Sequence, residues 1–263
     1  MTDLFNPGLL DGEIALVTGG GSGIGLAIAE MLAAHGCDTA ILGRSAERLE
    51  KASDAIATTT GRLSPTLVCD VRDAAAVQEA VREVGRCFGP VSILVNNAAA
   101  NFAMPAARMT ARALSTVVDI DLLGTFNLTR ACLDEMTAQA RGCVLNIVVP
   151  DAERGFPGFA HAGAAKAGIV SLTRSWAREW GPLGIRVNAL GPGPVPTEGV
   201  AANMLGLGAA RTGDAFAGSV DRIPLGRLGT VEDIAAAATF LCSPAASWIT
   251  GISLNVDGGM NVA

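Results

Sequence analysis

Short apolar runs alternate along the chain with longer, alanine-rich segments in which apolar residues recur every three or four positions. The runs predict strands over residues 13–19, 38–44, 65–70, 91–97, 142–149, 185–193 and 251–259. The longer segments predict helices over residues 24–36, 45–61, 73–89, 111–139, a stretch ending near Trp180, and 230–242. Strands that are apolar almost throughout and are separated by helices indicate a parallel sheet with helices on both faces.

No linker, change of composition or repeat divides the 263 residues. The sequence therefore predicts the α/β class: one doubly wound, Rossmann-type domain over residues 1–263, with a parallel sheet of about seven strands. Residues 197–220 fit the alternation poorly. Because they follow a strand end at the predicted ligand edge of the sheet, we expect them to form a substrate lid within the domain.

A glycine-rich turn joins the first predicted strand to the first helix. Gly19, Gly23 and Gly25 give the spacing GxxxGxG within VTGGGSGIGLA, and the simpler GxGxxG spacing does not fit here. Residues without side chains let a pyrophosphate approach the backbone, where a helix N-terminus presents unpaired N–H groups. The residues of this turn predicted to bind the cofactor are Gly19, Gly21, Ser22, Gly23, Ile24 and Gly25.

The end of the second predicted strand bears on which dinucleotide binds. An acidic side chain there would accept hydrogen bonds from a free adenosine ribose, but the sequence has Gly43 followed by Arg44 and Ser45. An arginine can pair with a 2′-phosphate, and the missing carboxylate removes a repulsion against it. We therefore expect NADP(H) rather than NAD(H), held by Arg44 and Ser45, with Arg48 as a weaker contact.

Other strand ends add to the same predicted site, because open α/β sheets bind ligands at the carboxyl ends of their strands. Asp70 ends the third strand, where its carboxylate can meet the adenine amino group. The fourth strand ends in the small-residue motif NNAA, and the sixth in the proline-stiffened turn GPGPVPTEG. From these two turns we expect cofactor contacts by Asn97, Ala98, Pro192, Gly193 and Thr197.

Composition narrows the function classes. The formal net charge is −6, which favours neither nucleic acid nor a membrane surface, so we expect neither as a partner. No apolar stretch approaches the roughly 20 residues of a membrane span, and no signal peptide is visible. Six scattered cysteines and two histidines form no metal-ligating pattern, so we expect free thiols in a reducing cytoplasm and no metal.

The motifs in order resemble the short-chain dehydrogenase/reductase family over about residues 10–260, through TGGGSGIG, NNAA, RVNALGPGP and a terminal DGG. A closer resemblance is to the 2,4-dienoyl-CoA reductases, particularly the peroxisomal type, through CDVRD, NNAANF, DIDLLGTFN and HAGAAKAG. The family's usual tyrosine would stand at Ala162, four residues before Lys166, yet the chain contains no tyrosine. Val148 and Val149 replace the usual serine. The dienoyl-CoA subgroup also lacks the tyrosine, so the resemblance does not imply an inactive site.

Ordinary ketone reduction would lack its usual proton donor in such a site. Reduction of a conjugated dienoyl thioester does not need that side-chain proton donor. Hydride addition to the far end of the diene leaves a dienolate, which a bound water can protonate on carbon. The resemblance implies that Asp121 and Lys166 are the catalytic residues and position that water, with Lys166 also holding the nicotinamide ribose. Two other proton donors stay open: Asp151, which we expect in a solvent-facing loop, and His161, which we expect in the wall of the site.

The resemblance also implies an acyl-CoA substrate contacted by Arg44, Arg72 and Phe102, and a homotetramer. The arginines that follow TEG in the peroxisomal pattern are missing here, where the chain reads VAANM. One phosphate-contacting cation is therefore lost unless Arg108, Arg112 or Arg211 replaces it. We expect an NADPH-dependent reductase of 2,4-dienoyl-CoA in unsaturated fatty acid degradation. The alternatives are a reductase of another conjugated or keto substrate, and a non-catalytic NADP(H)-binding protein.

Overall fold

The computed structural model describes residues 5–200, 218 and 220–262. The strands among them are β1 (Ile14–Thr18), β2 (Asp38–Gly43), β3 (Thr66–Val68), β4 (Ile93–Asn96), β5 (Gly142–Ile147), β6 (Ile185–Pro192) and β7 (Ser253–Val256). The longer helices are α1 (Gly23–Ala34), α2 (Ala46–Thr60), α3 (Ala74–Cys87), α4 (Ala111–Val118), α5 (Gly124–Ala138), α6 (Ala160–Trp180) and α7 (Val231–Cys242). These ranges confirm the predicted alternation of strands and helices.

All neighbouring strands of the sheet are parallel, in the order β3-β2-β1-β4-β5-β6-β7. The chain winds outward from β1 to β3 on one side, returns to the centre, and then winds from β4 to β7 on the other side. This reversal leaves a crevice at the carboxyl ends of β1 and β4, where doubly wound sheets bind ligands. The predicted seven-stranded, doubly wound α/β fold is therefore confirmed.

The five central strands β1, β2, β4, β5 and β6 are buried on both faces, which explains why they are apolar almost throughout. On one face α1, α2 and α7 pack against a layer that includes Val17 and Leu145. On the other face α3, α5 and α6 pack against a layer that includes Leu16 and Val144. Consecutive strand residues thus pack into opposite layers of the core. Packing on both faces of the sheet fixes the positions of the loops at the strand ends.

The stretch predicted as one helix over 111–139 is interrupted in the structure. α4 ends at Val118, a π-helical turn covers Asp119–Leu123, and α5 begins at Gly124. Because a π turn holds more residues than an α turn, it rotates the residues that follow around the helix axis. The interruption lies at Asp121, which is buried, and π turns within helices often occur at functional sites.

The predicted lid over 197–220 falls mostly outside the described residues, which include only 197–200, 218 and 220 of it. Its role therefore stays a prediction.

In the described ranges no helix is long and apolar enough to cross a membrane. The acidic, histidine and cysteine side chains of those ranges form no group of three that could hold a metal ion.

Candidate active site

The glycine-rich turn between β1 and α1 has the features of an anion-binding cradle. Gly19 and Gly23 adopt φ angles of +65° and +56°, which residues other than glycine rarely tolerate. α1 begins after Ser22, whose side chain makes no capping hydrogen bond, and the first turn carries no acidic residue. The N–H groups and the positive dipole end of α1 are thus free to meet a pyrophosphate.

Hydrogen bonds made by Thr18 and Asn97 fix the position of this turn. The Thr18 hydroxyl oxygen accepts hydrogen bonds from the backbone N–H groups of Asn97 and Ala98, both at 2.9 Å. The Asn97 side-chain amide donates to the carbonyls of Thr18, at 3.0 Å, and Gly19, at 3.3 Å. A Cβ at Gly25 would collide with the Gly19 carbonyl. Strands β1 and β4 and the glycine turn are therefore joined into one rigid unit, in which Gly25 permits close packing below the surface.

A cavity of about 580 Å³ runs from this turn along the carboxyl ends of the strands. The predicted cofactor-binding residues that line it are Gly19, Gly21, Ser22, Gly23, Ile24, Arg44, Ser45, Arg48, Asp70, Asn97, Ala98, Lys166, Pro192, Gly193 and Thr197. Gly25 does not line it, because it lies beneath the turn. The glycine cradle and the size of the cavity fit a dinucleotide. The individual binding contacts stay predictions.

One end of this cavity is cationic. Arg44 and Arg48 line it with exposed side chains, and Gly43 leaves no carboxylate at the end of β2. Asp70 lines it too, but its carboxylate already accepts hydrogen bonds from the Arg72 guanidinium, at 2.6 Å and 3.0 Å. This pairing lowers the pKa of Asp70 to about 2. Arg72, which the resemblance placed on the substrate, is held by Asp70 and does not line the cavity.

The other end of the cavity holds a buried ion pair. Lys166 Nζ lies 3.3 Å from Asp121 Oδ2 and donates to the Ile147 carbonyl at 3.0 Å. The second carboxylate oxygen of Asp121, Oδ1, accepts from the backbone N–H of Ala100 at 2.8 Å. Only 7% of Lys166 and 1% of Asp121 is exposed, and both residues line the cavity. The structure thus brings the two predicted catalytic residues together and anchors each on the backbone.

Small and apolar side chains surround this pair. Ala162 lies one turn before Lys166 on α6 and lines the cavity at the position of the family tyrosine. Val148 and Val149 line it just beyond the end of β5. None of these three positions carries a phenol or a hydroxyl, so no side chain there can donate a proton. The pair therefore presents one ammonium and one carboxylate in apolar surroundings, where charges act more strongly than in bulk water.

Asp151 and His161, the two other candidate proton donors, occupy different environments. Asp151 is exposed, adopts a left-handed φ of +50° and precedes a short helical turn over Ala152–Arg154. His161 is fully buried, and its ring stands edge-on to that of Phe102, with the centroids 4.6 Å apart. None of these three side chains lines the cavity. Asp151 thus lies in an exposed loop as expected, whereas His161 and Phe102, which was predicted to contact substrate, pack against each other behind the residues that line the cavity.

A buried amide network lies under the site, and the sequence analysis missed it. The Asn96 side chain donates to Thr129 Oγ1 at 3.0 Å and to Asn146 Oδ1 at 2.9 Å, while Asn146 Nδ2 donates to Thr173 Oγ1 at 2.9 Å. Because these residues belong to β4, β5, α5 and α6, the network fixes the elements that carry the ion pair. The sequence feature that could have revealed this network is an asparagine inside each of two apolar strands, since buried polar groups need hydrogen-bond partners.

Comparisons with known proteins identify the family. The family model described as Enoyl-(Acyl carrier protein) reductase matches residues 19–261. A peroxisomal 2,4-dienoyl-CoA reductase of Danio rerio, named as (3E)-enoyl-CoA-producing, is 43% identical over 98% of this chain and 84% of its own. A probable 2,4-dienoyl-CoA reductase of Bacillus subtilis, named as (2E)-enoyl-CoA-producing, is 38% identical over 95% and 97%. A gluconate 5-dehydrogenase from Burkholderia cenocepacia, solved with NADP and tartrate, has a TM-score of 0.89 at 31% identity, covering 98% of both chains.

The chain therefore belongs to the short-chain dehydrogenase/reductase family. It is an oxidoreductase whose fold takes a nicotinamide cofactor. Its similarity to 2,4-dienoyl-CoA reductases over nearly the whole length confirms the resemblance drawn from the motifs.

Proposed function

We propose that this protein reduces conjugated 2,4-dienoyl-CoA thioesters with NADPH, as a step in the degradation of unsaturated fatty acids. The observation that carries the proposal is the buried Asp121–Lys166 pair in a site without a tyrosine. The dienoyl-CoA reductases among its relatives support the same substrate class. A ketone reductase needs a proton donor for the developing alkoxide, and Ala162 supplies none at the usual position.

The proposed reaction adds one hydride and one proton to the diene. Bound NADPH would supply the hydride that adds to C5 of the acyl chain. The displaced π electrons then reach the thioester oxygen, which gives a dienolate. The Lys166 ammonium stabilises this negative charge, Asp121 orients the ammonium, and together they hold a water that delivers its proton to carbon.

The same proposal assigns the cofactor contacts. The glycine turn and the N-terminus of α1 bind the pyrophosphate, and Arg44 with Ser45 binds the 2′-phosphate. Lys166 reaches the nicotinamide ribose, while Asn97 keeps the glycine turn in place. The exposed cationic end and the NADP found in the related gluconate 5-dehydrogenase support NADP(H) over NAD(H).

A substrate comparison tests this function. We expect purified protein with NADPH to turn over trans,trans-2,4-hexadienoyl-CoA at least about 10²-fold faster than the keto thioester acetoacetyl-CoA, since a missing proton donor costs about 10²–10⁴-fold. Preference for the keto thioester would favour the alternative reductase. NADPH binding without turnover of either thioester would favour the non-catalytic alternative.

The choice of cofactor is tested by Arg44→Ala. A hydrogen bond to a charged group contributes roughly 1.5–3 kcal/mol, which corresponds to about 10–100-fold in affinity. We therefore expect kcat/KM for NADPH to fall by about 10–100-fold, while that for NADH changes by less than about threefold. Arg130→Ala is the matched control, because Arg130 pairs with Asp134 on the solvent-facing side of α5, where both side chains are exposed. Equal losses for the two cofactors would contradict the 2′-phosphate contact.

Two exposed apolar patches support the proposed homotetramer. Leu123 and Phe126 are exposed at the π turn and the start of α5, and Trp248 and Ile252 are exposed in the segment that leads into β7. Two separate self-associating patches provide the two interfaces of a tetramer with dihedral symmetry. We expect light scattering after gel filtration to give four times the mass of one chain. A monomeric mass would contradict this assembly.

The cytoplasm stays our proposed location. All six cysteines are free, and five of them are buried, which suits a reducing compartment. Burial also raises the pKa of the Cys69 thiol, which lines the cofactor cavity, and so keeps it protonated. The Danio rerio relative is a peroxisomal protein by its name.

A further inference from the structure

A second cavity, of about 390 Å³, opens beside the cofactor cavity. The loop after β5, the turn after β6 and the turn after β7 form its walls. Its apolar wall residues are Val149, Pro150, Phe156, Pro157, Pro194 and Met260. Arg154 and Arg222 border it with exposed side chains. Its volume lies within the roughly 300–1,000 Å³ of small-molecule sites.

This second cavity continues from the proposed reacting centre. The two cavities share Val149 and the segment 192–194 as walls. Val149 follows Ile147, whose carbonyl holds the Lys166 ammonium, by two residues. Two residues of chain span at most about 7 Å. A substrate held at Lys166 can therefore extend directly into the second cavity.

The second cavity lies on the opposite side of the site from the cationic end. Arg44 and Asp70 follow β2 and β3, whereas the shared walls follow β5 and β6, on the other side of β1. The second cavity is thus left for the substrate when the cofactor's 2′-phosphate occupies the cationic end.

Hydrogen bonds and close packing preform the walls of this cavity. The Asp257 carboxylate accepts from the backbone N–H and side-chain amide of Asn261, at 3.2 Å and 2.8 Å, which closes the turn that carries Met260. Arg154 donates to Asn261 Oδ1 at 3.0 Å and joins that turn to the loop after β5. Phe156 packs against Gly163 of α6, where an added Cβ would lie 3.4 Å from the ring.

We propose that this second cavity binds the hydrocarbon end of the acyl chain, beyond the diene. The assignment rests on the proposed function, because a dienoyl-CoA is a substrate with a charged carrier and an apolar tail. A hydrocarbon has no polar group to satisfy against the apolar wall residues, whereas a phosphate finds a charged partner only at the border, in Arg154 and Arg222. Each methylene that leaves water raises affinity by about fourfold, so the cavity favours longer chains.

The test measures binding of unreactive acyl-CoAs, so that it does not depend on turnover. Calorimetric titration of the NADP⁺-saturated protein compares hexanoyl-CoA with decanoyl-CoA, which differ by four methylenes. We expect decanoyl-CoA to bind at least about tenfold more tightly. In Met260→Trp, which fills the cavity, and in Phe156→Ala, which removes a wall, we expect this ratio to fall below about threefold.

Val262→Trp is the matched control, because Val262 is 88% exposed in the same terminal segment and does not line the cavity. It should keep the wild-type ratio. Equal binding of both chains to the wild-type protein, or an unchanged ratio in both cavity variants, would overturn the assignment. Chain-length-dependent binding without reduction of dienoyl-CoA would instead reject the proposed function and leave the apolar site supported.

Discussion

Lys166→Ala is expected to lower kcat for 2,4-hexadienoyl-CoA by about 10²–10⁴-fold at saturating NADPH, the range typical of a lost proton-transfer group. The ammonium lies 3.3 Å from Asp121 Oδ2 and is anchored 3.0 Å from the Ile147 carbonyl. Without it, the dienolate oxygen loses the positive charge that stabilises it, and the water loses one of its two partners. Steady-state rates of NADPH oxidation measure the effect.

The chain offers a matched control, because its only other lysine is Lys51. Lys51 is exposed on α2 and pairs with Glu47, so Lys51→Ala should keep the wild-type kcat. NADPH binding and thermal melting of Lys166→Ala must show a folded protein, since removing one partner of a buried ion pair also destabilises. A folded Lys166→Ala protein with a kcat within about threefold of wild type would exclude a catalytic role for this residue.

Asp121→Asn is expected to lower kcat by about 10²–10³-fold while leaving the affinity for NADPH within about threefold. The amide keeps the shape of the side chain and an oxygen that can accept from the Ala100 N–H, as Asp121 Oδ1 does at 2.8 Å. It removes the negative charge that faces the Lys166 ammonium at 3.3 Å. The loss should therefore appear in kcat rather than in cofactor binding.

Asp119→Asn is the control for this variant, because Asp119 lies on the same π-helical turn but does not line the cavity. We expect it to retain wild-type kcat. If the two variants lost activity equally, the effect would come from the π turn and not from a carboxylate in the active site.

Much of the fold could be predicted because its five central strands are buried on both faces. Such strands are apolar almost throughout, and the helices between them keep a regular period, so both elements are visible in the sequence. The π turn at Asp119–Leu123 was not predicted. The apolar residues continue at helical spacing on both sides of it, and one extra residue in a turn leaves little trace in that spacing.

The glycine turn and Arg44 could be predicted from residue types at strand ends, whereas the roles of Asp121 and Lys166 were implied by the family resemblance. The glycine turn, Arg44 and the Asp121–Lys166 pair all lie along one cavity. Thr18 was missed, because a hydroxyl whose partners are backbone groups at and just after the end of β4 is indistinguishable in sequence from any strand threonine. Arg72 was placed on the substrate, and its pairing with Asp70 depends on a side-chain orientation that spacing does not reveal.

The chemistry itself is tested most directly by the positions of the two added hydrogens. The protein is given trans,trans-2,4-hexadienoyl-CoA and NADPH deuterated at its hydride position, and the product is examined by NMR. We expect one deuterium at C5, one solvent-derived proton at C2 and a double bond between C3 and C4, the (3E)-enoyl product after which the Danio rerio relative is named. A proton at C4 would give the (2E) product and place the water elsewhere, while an unreacted diene with NADPH bound would contradict the catalytic role of Asp121 and Lys166.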